Sequence, residues 1–182
     1  MTKRVLPKHI GLIAIGSGLI AASIYWVMIS VTLAHIEAVS GQTPFDMRPA
    51  GYGPTQAAAL LEALGGDGRD YYLRRQLALD TLYPAMLALT MIATICWLGQ
   101  RMTNRKIVRF SIAFSVASAL FDYVENLGIL TMIWNWPDVS VPLVYATSSA
   151  TILKSVSTTL AVLLVLWMGF NWVRKPRAHI HL

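Results

Sequence analysis

The chemistry-bearing residues of this chain sit where apolar ones are expected. Asp122 and Glu125, with Asn126 beside them, lie inside the apolar run from Ser111 to Leu130, and Lys154 lies inside the next apolar run. Ionisable side chains near the middle of a membrane helix cost about 2.5–3.5 kcal/mol each on insertion scales, so they face a bundle interior and one another. Ser111, Ser115, Ser118, Asp122 and Glu125 are separated by four, three, four and three residues, which draws one stripe along a helix. Thr147, Thr151, Lys154 and Thr158 draw a matching stripe on the following helix. Such a set supports acid/base work by Asp122 or Glu125 with Lys154 adjusting the charge, or binding of a polar headgroup. Whether any reaction is catalysed stays open at this level. One ammonium among several carboxylates is expected to titrate with them as a coupled unit. The competing expectation is structural: an ion pair and hydroxyl hydrogen bonds that hold helices in register.

Other chemistries find little support. Neither Glu-x-x-His nor His-x-x-x-His occurs, and Cys96 is the sole cysteine, so no metal site, no cofactor and no intrachain disulfide is expected. His35 alone does not supply two axial haem ligands, and His179 and His181 belong to a terminal tail. Gly16-Ser17-Gly18 lies within an apolar helix, where close helix packing explains it better than a phosphate loop.

The elements that must position the polar set are four long apolar segments. The 182 residues are 55% apolar with a mean hydropathy of +0.55, more than an ordinary soluble domain carries. The expected fold is all-α, a polytopic four-helix membrane bundle forming a single domain, with spans at about 9–38, 79–98, 107–134 and 141–172. The net charge of +6 is not a nucleic-acid patch, and no nucleic-acid partner is expected. Lys3, Arg4 and Lys8 precede the first span, Arg101, Arg105, Lys106 and Arg109 separate the second from the third, and Arg174, Lys175 and Arg177 follow the fourth. No Asp or Glu falls in those segments, so the positive-inside rule puts both termini in the cytoplasm. The start resembles a signal peptide, but its apolar run continues to Leu33, too long for a cleaved one.

In the first helix Ala14, Gly18, Ala21, Tyr25, Met28, Thr32 and His35 form a heptad-like seam that permits close approach. Gln76, Asp80, Tyr83, Leu87, Thr90 and Thr94 repeat the spacing in the second. Between them, residues 39–78 read as an extracytoplasmic loop with a helix from Thr55 to Leu64, stopped by Gly65-Gly66, and Asp67 or Asp70 as cap of the next helix. This segment is expected to lie on the outer leaflet as a helical lid, with Arg69 among its anchoring or ligand-holding arginines. At about 1.5 Å per residue, Asp122 and Lys154 fall at similar depth. Glu125 and Asn126 follow one turn further out, and Asp80, Tyr83 and His35 lie toward the outer rim. The expected result is a graded polar column opening outward under the loop.

The ordered set Phe45-Asp46, Gly51-Tyr52, Leu64-Gly65, Gly68-Arg69, Tyr72, Leu79-Asp80, Tyr83-Pro84, Asp122-x-x-Glu125-Asn126 and Thr151-x-x-Lys154 resembles a group of small bacterial four-helix membrane proteins. The resemblance implies an architecture and no reaction. The leading expectation is binding of a small amphiphilic molecule or lipid headgroup among Asp122, Glu125 and Lys154, with membrane lipids as constant partners. An accessory or assembly subunit of a membrane complex and a small proton- or cation-coupled transporter are the alternatives. Four helices make a thin wall, which leaves room for a homodimer or another membrane-complex partner.

Overall fold

A computed structural model describes residues 9–174. The basic residues Lys3, Arg4, Lys8, Lys175 and Arg177, and the tail histidines His179 and His181, lie outside the described residues. Four helices dominate: α1 (Ile10–Ser40), α2 (Pro54–Gly99), α3 (Arg105–Trp134) and α4 (Val141–Arg174). Each is long and apolar enough to cross a membrane, and no strand occurs among the described residues. α1 packs along α2 and α3 along α4, while α2 joins the two pairs through contacts with α3 and α4.

The α1 seam follows its spacing as far as Thr32 and not to His35, which is exposed. Ala14, Ala21, Met28 and Thr32 of α1 are buried. Gly18 lets α1 approach Thr90 of α2, Tyr25 stacks on Tyr83, and Thr90 Oγ1 donates to Ser17 Oγ at 2.9 Å. In α3 the buried face is Ser111, Ser115, Ser118, Asp122, Glu125 and Asn126, whereas Phe110, Leu120, Val124 and Leu127 point outward. That arrangement is the reverse of a helix packed in water.

Residues 54–78 differ from the expected loop in extent. Pro54 starts α2, as a proline does well at a first helical position. Gly65 breaks the helix with φ of +61°, and the chain resumes helical winding at once, through a π-helical turn at Tyr72–Gln76, into the apolar length. No capping hydrogen bond from Asp67 or Asp70 is found; Asp70 instead accepts from Arg74 Nε at 2.6 Å. The true connection is residues 41–53, with one 3-10 turn at Phe45–Met47.

That connection is not a surface lid. It is pushed into the end of the bundle, because Phe45 and Tyr52 are apolar enough to join the core there with Leu60, Leu61, Tyr72 and Ile129. Gly51 makes the insertion possible. Its φ is +83°, and a Cβ there would lie 2.6 Å from Ser148 Oγ and 2.9 Å from Ile152 Cδ1 on α4. Gly51→Ala is therefore expected to lower the unfolding free energy by about 1–3 kcal/mol, read from denaturation in mild detergent. A second apolar core, built from Met91, Ile95, Leu98, Met102, Ala161 and Met168, fills the opposite end. The polar residues form a layer between the two.

Candidate functional site

Lys154 is the hinge of the polar layer. Its Nζ lies 3.4 Å from Asp122 Oδ1 and pairs more closely with Glu125 Oε2. The sequence suggests Asp122 as the natural partner; the turn between Asp122 and Glu125 lets one ammonium face both, with Glu125 nearer. Glu125 is fully buried and Asp122 is 4% exposed, so both charges depend on Lys154. Thr151, one turn before Lys154, donates to Glu125 Oε1 at 2.8 Å. Toward the opposite end Ser118 and Thr158 hydroxyls meet at 2.5 Å, and Ser111 Oγ contacts Met168 Sδ at 3.8 Å. The hydroxyl stripe there ends against the apolar core.

On the loop side α2 contributes Asp80 and Gln76, both buried. Asn126 Nδ2 donates to the Asp80 carbonyl at 2.9 Å, tying α3 to α2. Gln76 Oε1 accepts from Thr32 Oγ1 at 2.5 Å, so the π-helical turns of α1 (Met28–Thr32) and α2 are pinned together. π-Helical turns often mark functional positions, since the extra residue displaces side chains from the regular ladder.

Asp46 is the participant that spacing alone does not disclose. From the 3-10 turn its carboxylate accepts from the buried Tyr72 hydroxyl and from Gln76 Nε2 at 3.4 Å. Tyr52 completes this end. Its backbone N–H donates to Ser148 Oγ at 2.8 Å, and its phenol stands beside Thr151 and Glu125. Burial, with Glu125 and Asp46 nearby, holds that phenol well above the usual tyrosine range, so it stays a hydroxyl.

Four buried polar atoms in the layer have no hydrogen-bond partner among the described residues; Glu125 Oε2 faces the Lys154 ammonium, which leaves Asp80 Oδ2, Asn126 Oδ1 and Tyr52 Oη. Buried polar groups are normally paired, and an orphan costs about 1–3 kcal/mol. The three orphans come from three different parts of the fold: α2, α3 and the connecting segment.

Not every expected residue joins. Asp122, Glu125, Lys154, Asn126 and Asp80 come together, and Tyr83 flanks them through its stack on Tyr25, centroids 5.6 Å apart. His35 does not: it is exposed on α1 and packs on Tyr71 at 4.2 Å. Its heptad position puts it on the α1–α2 seam, but one turn beyond the point where α2 turns its polar face inward. Arg69 is also elsewhere. Its Nη1 donates to the Leu61 carbonyl at 2.7 Å, beside the Gly65 break, and its guanidinium lies 5.9 Å from the Trp136 ring. It therefore serves the bend in α2 and not the column. At the loop end of the layer Phe45 and Tyr52 are buried over it.

Asp46, Tyr52 and Tyr72 are the functional candidates that periodicity misses, whereas Gln76 stands in the four-three series of the second span. The available signal is a lone acid in a short segment whose neighbours, Pro44 and Phe45, are apolar and end up buried. No three His, Cys, Asp or Glu among the described residues are placed to share a metal ion. No protein-family model, curated protein or solved structure matches the chain.

Proposed function

We propose that this is a four-span integral membrane protein of the bacterial inner membrane that binds a small amphiphilic molecule by its polar head in the layer between α2, α3 and α4. Both termini lie in the cytoplasm on this reading, and the 41–53 segment faces the other side. The inside-out pattern of α3 supports the membrane setting, since it buries serines and acids while exposing Phe110, Leu120 and Leu127. The basic segment from Arg101 to Arg109 supports the orientation.

The observation that carries the binding reading is the trio of unpartnered atoms, Asp80 Oδ2, Asn126 Oδ1 and Tyr52 Oη. A hydroxyl- or amine-bearing head satisfies the two acceptors, and the phenol donates in return. Asp122, Glu125 and Lys154 then set the local charge and hold the helices around the head. Admission requires the 41–53 segment to lift, and Gly41 and Gly51, both at positive φ, bound that movement. Acid/base chemistry by Glu125 or Asp122 is an extension of the same site.

Native mass spectrometry of protein extracted in mild detergent tests this reading. The wild type is expected to carry a bound small molecule or lipid that Asp80→Asn and Tyr52→Phe release at lower activation energy. If none of the three retains any non-protein mass, the binding reading fails. One observation favours a second reading: Lys154 already pairs with both Asp122 and Glu125, as a purely structural ion-pair set in an assembly subunit would. Co-purification of a stoichiometric protein partner, with no small molecule retained, would favour it. A proton- or cation-coupled transporter needs access from both ends, and the apolar core around Met168 speaks for binding instead.

A further inference from the structure

A groove of about 520 Å³ runs along the outside of the α1–α2 pair, and it touches the polar layer only at Thr32, whose hydroxyl bonds Gln76. Val27 and Val31 of α1 and Ala78 and Leu79 of α2 line its length, and Arg74 and Arg75 stand in it together with Tyr71. The antiparallel register fixes its polarity. Tyr25 meets Tyr83, Thr32 meets Gln76, and His35 meets Tyr71, in that order toward the loop end. The apolar walls at Val27 and Leu79 are thus the deep end, and the two arginines are the end near the 41–53 segment. No acidic residue lines it.

The groove exists because both helices take a π-helical turn at this level, Met28–Thr32 on one and Tyr72–Gln76 on the other. The extra residue in each turn rolls Thr32 and Gln76 inward to bond one another, and leaves Val31 and Arg75 on the outer surface. Val27 and Val31 are 39% and 53% exposed, so their faces are available to a neighbour. Arg74 pairs only with the exposed Asp70, a surface contact that contributes little, and Arg75 forms no ion pair among the described residues.

We propose that this groove binds an anionic glycerophospholipid, one acyl chain lying between Val27, Val31, Ala78 and Leu79 and the phosphate held by Arg74 and Arg75. The match is in order as well as in kind. An amphiphile standing in a bilayer presents chain, then phosphate, from the midplane outward, and the groove presents apolar wall, then guanidinium, in the same sense. Guanidinium groups suit the phosphate because their N–H donors bind two oxygens at once. Tyr71 at the same level is the kind of ring that settles among headgroups. The inference rests on the membrane reading and is independent of any ligand in the polar layer.

The test uses the full chain reconstituted into vesicles of phosphatidylcholine with and without phosphatidylglycerol, followed by native mass spectrometry of the lipids retained. Wild type is expected to retain phosphatidylglycerol over phosphatidylcholine. R74Q/R75Q is expected to weaken that retention roughly thirtyfold, the scale of two cations near an anionic lipid. R74K/R75K keeps most of the preference. V31W, which fills the groove and leaves the charges in place, loses it. Equal retention of both lipids by wild type, or a preference that survives V31W, would overturn the proposal. So would thermal stabilisation by inorganic phosphate alone that matches that of the lipid, since the chain would then contribute nothing. Vesicle flotation separates the two levels of the argument. A chain that floats with the vesicles yet shows no preference overturns the groove alone, whereas a chain left behind overturns the membrane reading.

Discussion

Lys154→Met is expected to be the most damaging single substitution in the polar layer, lowering stability by about 3–5 kcal/mol. The reason is the number of charges that one ammonium serves. Glu125 has no exposed surface and Asp122 almost none, and both face Nζ. Removing the cation leaves their charge buried with only Thr151 and backbone dipoles as compensation. Methionine fills much the same volume, so the loss comes from electrostatics and not from a cavity. The control follows from that logic. Lys154→Met combined with Asp122→Asn and Glu125→Gln removes the stranded charge and is expected to recover most of the loss, because a buried ion pair and a neutral replacement of similar shape are often close in free energy. Unfolding in mild detergent by a graded denaturant measures both. If Lys154→Met alone costs less than about 1 kcal/mol, as exposed ion pairs do, the ammonium does not stand between the two acids.

The second large effect concerns the contact of α3 with α4. Gly128 lies one turn beyond the polar residues, and a Cβ there would lie 2.8 Å from Thr147 Cβ and closer still to the two branches of that side chain. Thr147 is 1% exposed and its hydroxyl donates to the Leu143 carbonyl at 2.9 Å, so it has nowhere to turn. Gly128→Ala is therefore expected to cost about 3 kcal/mol, at the upper end of ordinary overpacking. Because the wedge opens α3 from α4 next to Thr151, it should also loosen the Glu125–Lys154 pair. The reciprocal double change Gly128→Ala/Thr147→Gly moves the missing side chain from one helix to the other and is expected to restore most of the stability. Failure of that rescue would mean that Gly128 matters for backbone freedom and not for close approach.

How far the fold was legible depends on which regularity each residue obeys. Four helices follow directly from runs of apolar residues, and the stripe Ser111–Glu125 and its counterpart Thr147–Thr158 follow from the alternation of four and three. Those rules concern a single helix, and they locate Asp122, Glu125 and Lys154 without any tertiary knowledge. Tyr83 and Asp80 come from the same argument on α2. The rules fail where the chain is not helical or where helices change their winding. His35 keeps its heptad phase, but the π-helical turns shift the α1 and α2 faces at Thr32 and Gln76, so phase counted from Ala14 no longer says which neighbour it meets. Arg69 looks like a lid residue until Gly65 bends α2 and exposes a carbonyl that the guanidinium can bind.

The loop is the clearest case of information that is present but not periodic. Phe45, Asp46 and Tyr52 share no spacing that distinguishes insertion from a surface position. The burial of Phe45 and Tyr52 depends on Gly51 passing close to Ser148, a contact between residues 97 positions apart in the chain. A turn-rich composition predicts a connection, and says nothing about whether it lies over the bundle or within it. The difference matters for function, since a surface lid would leave an open polar cavity, whereas the inserted segment buries Phe45 and Tyr52 over the layer and supplies Asp46 and Tyr52 to it.

The central claim, that a polar head is held between the connecting segment and α2–α4, is tested most directly by cryo-electron microscopy of the protein extracted in its own lipids. The account predicts non-protein density larger than a single water within hydrogen-bonding distance of Asp80 Oδ2, Asn126 Oδ1 and Tyr52 Oη. A dry column in which those three atoms pair with other protein groups would contradict it.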